Sequence, residues 1–462
     1  IGIRMTMGAG RRDREHPERK PASPAEMLWY RGMVGRAFLN LDAEPQEYAY
    51  LPDEFIKLLK PMQTDGFIPP GRPAAPGEYA HLRPANDHIL DQTCTWLAVM
   101  RLPKPLSEAE KKLEGMQLPF VQSLLGAAGL IDSQGQPNPA QVRTFLEADR
   151  AKALSKLFST WLNSSQINDL RLLPGLAFEG EWRNDPLVAR RTILEFMEHL
   201  PSNTWWSLAS FINAIHDIRP DFQRPAGDYD SWFIRDEATQ EYLRGFGHWE
   251  DVEGKLIRWI ITVPLHLLGA IDLAAPDEKS PPTAFHRSAW AEALLNGKVP
   301  PGLLEEDASI VLTSSGQVSI PRLAPRTARY QISRFCIWEG EQKGAYRYRL
   351  TSRSLGRAAE QGLRATQLTA LLRKFVDSGL PPSLVKALER WEKYGSQAAI
   401  QPQTLLRVSS PEILLALQKS PAGKWLGETL NPTTATIKPG RTDQVLSALA
   451  ELGFLAESEV DV

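Results

Sequence analysis

A chain of 462 residues exceeds what one ordinary hydrophobic core organises, so three or four domains are expected. With 42% hydrophobic and 23% charged residues it has the composition of a soluble globular protein, and its net charge of −2 argues against a globally basic, nonspecific nucleic-acid coat. No apolar run reaches the roughly 18 residues needed to cross a bilayer; the best, 256–273, carries Arg258 and His266 and reads as a buried helix. The chain opens at Ile1, which points to a longer chain, and soon runs into Arg11-Arg12-Asp13-Arg14-Glu15 with no secretory apolar region. Cys94 and Cys336 are too few for a disulfide framework or a zinc site, and are expected as reduced, buried thiols of a cytoplasmic protein.

Residues 1–23 are polar, charged and expected to be flexible. A helix over Met27-Leu28-Trp29-Tyr30, a strand over 47–51 and a short helix over 52–59 suggest part of a winged-helix-like unit, 24–65. Four prolines in 66–77 read as a linker. A helical, winged-helix-like domain is predicted over 86–175, with Asn138-Pro139 starting a helix that runs to about Leu162. A second is predicted over 185–274, with 202–204 capping a helix from Trp205. The apolar helix 256–268, then Gly269, then Ile271-Asp272-Leu273 suits a helix meeting the wing of a winged helix, or any α/β unit.

The proline and charge cluster 275–282 reads as the joint before a last domain, 303–462. There, 310–313 and 317–320 flank Ser314-Ser315-Gly316 as a β-hairpin, and 345–350 alternates as a strand. Thr351-Ser352 caps a helix to about Gln361, and helices follow over 365–376, 381–393 and 411–419. The remaining strands fall at 405–408, 435–437 and 454–456. This order implies an α/β or α+β domain.

No motif supports an enzyme. Gly254-Lys255, Gly297-Lys298 and Gly423-Lys424 lack both the upstream glycine and the Ser or Thr of a phosphate-binding loop. Asp236-Glu237-Ala238-Thr239 has only a superficial likeness to a helicase acidic motif, and His216-Asp217 has no second His-Asp pair to share a metal. Glu305-Glu306 sits in a charged loop and needs no special role. No catalytic residue, cofactor or metal ligand is therefore assigned. Trp205-Trp206, Trp249, Trp259 and Trp290 fit either a core or stacking platforms for single strands.

Between Pro321 and Arg364, ten basic residues face three acids, a local balance of +7. Arg347 and Arg349 share one strand face, and Arg353 and Arg357 one helix face. With Arg322 and Arg329 they are the candidate nucleic-acid contacts, able to hold phosphates bidentately. The alternative is a solvated face paired with acids from elsewhere in the chain.

Residues 309–407 carry the elements Ile310-Val311-Leu312, Gly316-Gln317-Val318, Tyr346-Arg347-Tyr348-Arg349-Leu350-Thr351, Ser354-Leu355, Gly362-Leu363, Leu371-Leu372, Gly379-Leu380-Pro381, Leu388, Trp391 and Tyr394-Gly395. In this order they resemble the N-terminal domain of XPB-type helicases, as found in bacterial helicase-associated proteins, with the small α/β end of that family over 426–455. Winged-helix units ahead of such a domain are also similar to the TFIIH subunit that clamps XPB. The resemblance implies mainly α-helical winged-helix-like units followed by an α/β (α+β) XPB N-terminal-like domain, without a motor. It also implies a non-catalytic helicase-associated protein that binds duplex or forked DNA and a helicase or nuclease partner in trans, in repair, transcription or phage defence, with no membrane and no small-molecule substrate. The alternative is a clamp-like protein-interaction scaffold that never touches DNA.

Overall fold

The computed structural model describes residues 9–17, 19–42, 44–52, 69–101, 117–224, 227–398, 400 and 402–458, and the chain separates into two compact units, 1–389 and 390–462. Helix and sheet are mixed, and every strand pairing among the described residues is antiparallel. The strand–helix alternation after Ser309 is thus α+β, with no parallel βαβ unit. No described helix is long and apolar enough to cross a membrane.

Helix Pro24–Tyr30 starts on Ser23, whose hydroxyl accepts from the Glu26 amide at 3.0 Å. Strands β1 (Gly35–Asp42) and β2 (Glu44–Tyr50) follow as a hairpin. The helix expected over 52–59 falls on 53–59, outside the described residues. Residues 69–77, expected as a linker, are instead fixed against the fold. The Pro70 carbonyl accepts from Trp206 Nε1 at 2.7 Å, and a Cβ at Gly71 would lie 2.8 Å from the Ser210 carbonyl oxygen.

Four helices then build the centre: His88–Met100, Leu118–Ala127, Pro139–Glu147 and Arg150–Asn163. Asn138 caps the third as expected, accepting from Ala140 and Gln141. The single helix predicted to about Leu162 is two, because Ala148 (ψ 145°) and Asp149 (ψ 147°) adopt extended backbone between them. Strand β3 (His81–Arg83) precedes these helices, and β4 (Leu176–Glu179), β5 (Trp206–Ser207), β6 (Phe233–Asp236), β7 (Ile271–Ala275) and β8 (Ala284–Arg287) follow them. They form a sheet of order β3-β7-β8-β5 and a pair β4-β6. Since Trp206 and Ser207 pair with Phe285 and Ala284, the helix expected from Trp205 begins at Leu208.

The buried helix after Trp249 is irregular: π turns at Glu250–Gly254 and Ile261–Leu265 flank the α-helical Lys255–Ile260, with Pro264 inside the second. Gly269, φ +86°, then turns the chain into β7. A Cβ there would lie 2.9 Å from Trp290 Cε3. Both the left-handed backbone and the contact oppose a side chain. Gly269→Ala should lower stability by about 1–3 kcal/mol, read as a fall in the denaturant midpoint.

The joint expected at 275–282 is the turn of the β7-β8 hairpin. Arg83 donates to the carbonyls of Glu278 (2.8 Å) and Ser280 (2.7 Å). Asp277 accepts from the Lys279 and Ser280 amides, so proline and charge mark a fixed turn. Nor does the chain divide at 175–185. One apolar cluster runs from Ile89 through Phe158, Trp161, Phe211, Ile257 and Phe285 to Tyr330, joining the predicted domains 86–175 and 185–274 to the start of 303–462.

After it come β9 (Val311–Leu312), β10 (Gln317–Pro321), helix Arg326–Ile332, β11 (Cys336–Gln342) and β12 (Ala345–Leu350), in a sheet of order β11-β12-β10-β9. Helices Ser352–Glu360, Ala365–Phe375 and Pro382–Tyr394 follow, each burying a narrow stripe such as Leu368 and Leu372 or Leu384 and Leu388. The second unit holds β13 (Thr404–Arg407), β14 (Leu426–Asn431) and β15 (Thr434–Ile437), ordered β13-β15-β14, with helices Pro411–Lys419 and Thr442–Glu451. Leu406, Leu417, Ala435, Val445 and Leu449 form its own core. The strand expected at 454–456 is irregular.

Candidate nucleic-acid interface

Alternation along β12 sorts its side chains. Tyr346 and Tyr348 turn inward, 5% and 3% exposed, which leaves Arg347 and Arg349 on the opposite face. In register, Arg347 lies beside Ser319 of β10 and Arg349 beside Gln317 of β10 and Ile337 of β11. Exposed Val311, opposite Ser319, completes that face.

One residue after β12 the chain enters helix Ser352–Glu360 through a capping box. The Thr351 hydroxyl accepts from the Ser354 amide and Ser354 Oγ from the Thr351 amide, each at 3.0 Å. This places exposed Arg353 in the first turn and Arg357 one turn on. Arg357 donates to the Cys336 carbonyl at 2.9 Å, at the start of β11. Burial, with the like charge of Arg353 adding to it, holds the Arg357 pKa below its ordinary value.

Four of the six predicted arginines therefore gather where β11, β12 and this helix meet. Arg349 is ion-paired with Glu339. Among the described residues, neither Arg347 nor Arg353 has a carboxylate partner, and Arg347 Nε is enclosed without any acceptor.

Arg322 and Arg329 are placed elsewhere, and their assignment to phosphate is corrected. Arg329, 3% exposed, donates to Thr95 Oγ1 (2.9 Å) and to the Asp91 carbonyl (2.6 Å), and its guanidinium lies 3.7 Å from the Tyr346 ring centroid. Arg322 pairs with Asp87 (2.6 Å) and Asp91 (3.2 Å). Both belong to a buried ionic network centred on Arg150, whose side chain is 1% exposed and reaches Asp87 (2.6 Å), Asp91 (2.8 Å) and Glu306 (3.0 Å). Arg326 closes it against Glu306 at 2.5 Å. Arg329 is closed off from a phosphate, and Arg322, 23% exposed, is already held by two carboxylates.

Glu306, expected to have no special role, is thus a central member. Burial pushes the Asp87 carboxyl up, but Arg150 and Arg322 outweigh it and hold the pKa below the usual carboxylate range. Reading the sequence missed Arg150, Asp87 and Asp91 altogether. Their only local signal is the spacing of Asp87 and Asp91, four residues apart.

The other candidates are structural. Trp206, Trp249 and Trp259 are buried; Trp205 stacks on Tyr79 at 6.0 Å. His216 bonds its neighbour Asp217 and packs edge-on against Trp249.

Residues 305–429 match the family described as the helicase conserved C-terminal domain. This helicase-related domain covers about a quarter of the chain and holds all six predicted arginines, together with the sheet and helix that position four of them. No curated protein matches the chain.

Proposed function

We propose that this protein is a non-catalytic, helicase-associated scaffold that docks on DNA through the face carrying Arg347, Arg349, Arg353 and Arg357, and serves a helicase or nuclease in trans. The observation that carries the reading is the grouping of these four cations on β12 and the helix after it, three of them without a carboxylate partner among the described residues, inside a helicase-related domain. The resemblance of 309–407 to the XPB N-terminal domain falls within the matched stretch. The helical regions over 86–175 and 185–274 are read as winged-helix-like elements flanking it. A clamp-like protein contact is the second reading, favoured by Val311 and Ile337, exposed on the same face.

The test is the salt dependence of binding to a short duplex. Each phosphate contact contributes about 0.9 to the log–log slope on B-DNA. Replacing Arg347 and Arg353 together with alanine should flatten the slope by about 1.8 while leaving the unfolding free energy within about 1 kcal/mol of the parent. An unchanged slope with folding intact would end the DNA role and leave the clamp reading. The purified protein should also hydrolyse no ATP, with or without DNA.

A further inference from the structure

We infer that the ligand of the β12 face is the sugar–phosphate backbone alone, held without any reading of the bases; this rests on the nucleic-acid reading above. The first observation is spacing. Arg347 and Arg349 alternate on an antiparallel strand, so their Cα atoms lie about 6.8 Å apart along β12. The two guanidinium groups therefore form a row along the strand, so one phosphate backbone running along β12 would meet both.

The second observation is what the face lacks. Base-tolerant and base-reading sheets alike hold nucleotides on exposed rings. Here the rings of the sheet point away: Tyr346 and Tyr348 are buried, and Trp338 packs against the main core with its Nε1 donating to the Gly340 carbonyl. The surface beside the arginines is Val311, Gln317, Ser319 and Ile337, and the exposed positions of the first helix are Ser352, Arg353, Ala359 and Glu360. None offers a π surface.

The third observation shows that an oxyanion already sits here. The β11–β12 register slips between Trp338 and Gly340, and Gly340, at φ +126°, lets the bulge form. The skipped residue is Glu339, and its carboxylate binds Arg349 Nε. It stands where a phosphodiester oxygen would lie, so a nucleic acid must displace it to engage Arg349.

The experiment compares the full chain and its Glu339→Gln variant on three ligands across a series of salt concentrations: a 20-nucleotide thymidine strand, an abasic strand of the same length, and a duplex. The parent should bind the thymidine and abasic strands within ~2-fold of each other, since no base is stacked. Glu339→Gln should tighten both single strands alike and steepen their salt slope by about 0.7, the contribution of one freed contact. An abasic strand bound ~10-fold or more weakly than thymidine would overturn this inference while leaving DNA docking intact. Equal affinities with Glu339→Gln unchanged would overturn the displacement of Glu339. No binding of any ligand by either protein would overturn the docking reading itself.

Discussion

Arg150→Ala is expected to lower the stability of the first unit by about 3–5 kcal/mol, because it strips the shared cation from buried Asp87 and Asp91 and from half-buried Glu306. Arg322 and Arg326 remain beside Asp87, Asp91 and Glu306 but cannot occupy the position between them. The exposed pair Arg349–Glu339 is the control: Arg349→Ala should cost about 1 kcal/mol or less. Denaturant unfolding of both variants decides the point, and a loss below about 1 kcal/mol for Arg150→Ala would show that the network is not what holds these segments together. The pH dependence has a definite sign. With the folded pKa of Asp87 below its unfolded value, its contribution is fully present above about pH 4. It is lost as pH falls through the lower, folded value. Arg150→Ala should therefore lose part of the parent's sensitivity to acid.

A fragment of residues 303–462 should fold only in its last part. Arg322 would be left without Asp87 and Asp91, Arg329 without Thr95 and the Asp91 carbonyl, and Tyr330 without the core it completes, while Arg326 would keep only Glu306. The apolar surface that this core covers would face water instead, at about 25 cal/mol per Å², which the remaining sheet does not regain. Amide exchange should be slow over 404–449, where a separate core exists, and near the unprotected rate over 317–360. Protection of 317–360 in that fragment would return the domain boundary to the neighbourhood of residue 303.

The elements that were legible in the sequence are those written locally. The hairpin around Ser314-Ser315-Gly316, the alternation of Tyr346 to Leu350, the Thr351 cap and helix Pro411–Lys419 follow from side-chain period and turn chemistry a few residues long. Strand β11 was not legible, because the bulge at Glu339 breaks the alternation that identifies a strand. Residues 275–282 read as a joint because a tight turn and a linker draw on the same residues. What distinguishes them is Arg83, which lies 195 residues away from its acceptor Glu278.

The same limit governs the arginines. A window charge of +7 treats Arg322, Arg326 and Arg329 as surface, whereas the acids that neutralise Arg322 sit 235 and 231 residues earlier. Four arginines at neighbouring positions were recognisable as a group from strand and helix geometry. The fate of the other two depended on partners that only the tertiary fold supplies.

The two π turns around Lys255–Ile260 carry a consequence for how this helix tolerates length changes. An i→i+5 turn accommodates one residue more than an α turn, so each behaves as a single-residue insertion absorbed without breaking the helix. Deleting one residue from the first would restore α-helical winding and rotate everything before it by about 100° relative to the rest. Glu253, fully buried and paired with Arg224, lies in that turn. The deletion would tidy the backbone and at the same time turn a carboxylate away from its cation. The irregular winding is thus the phase-setting element that lets one helix present Glu253 to Arg224 and Leu256, Ile257 and Ile260 to the core at once.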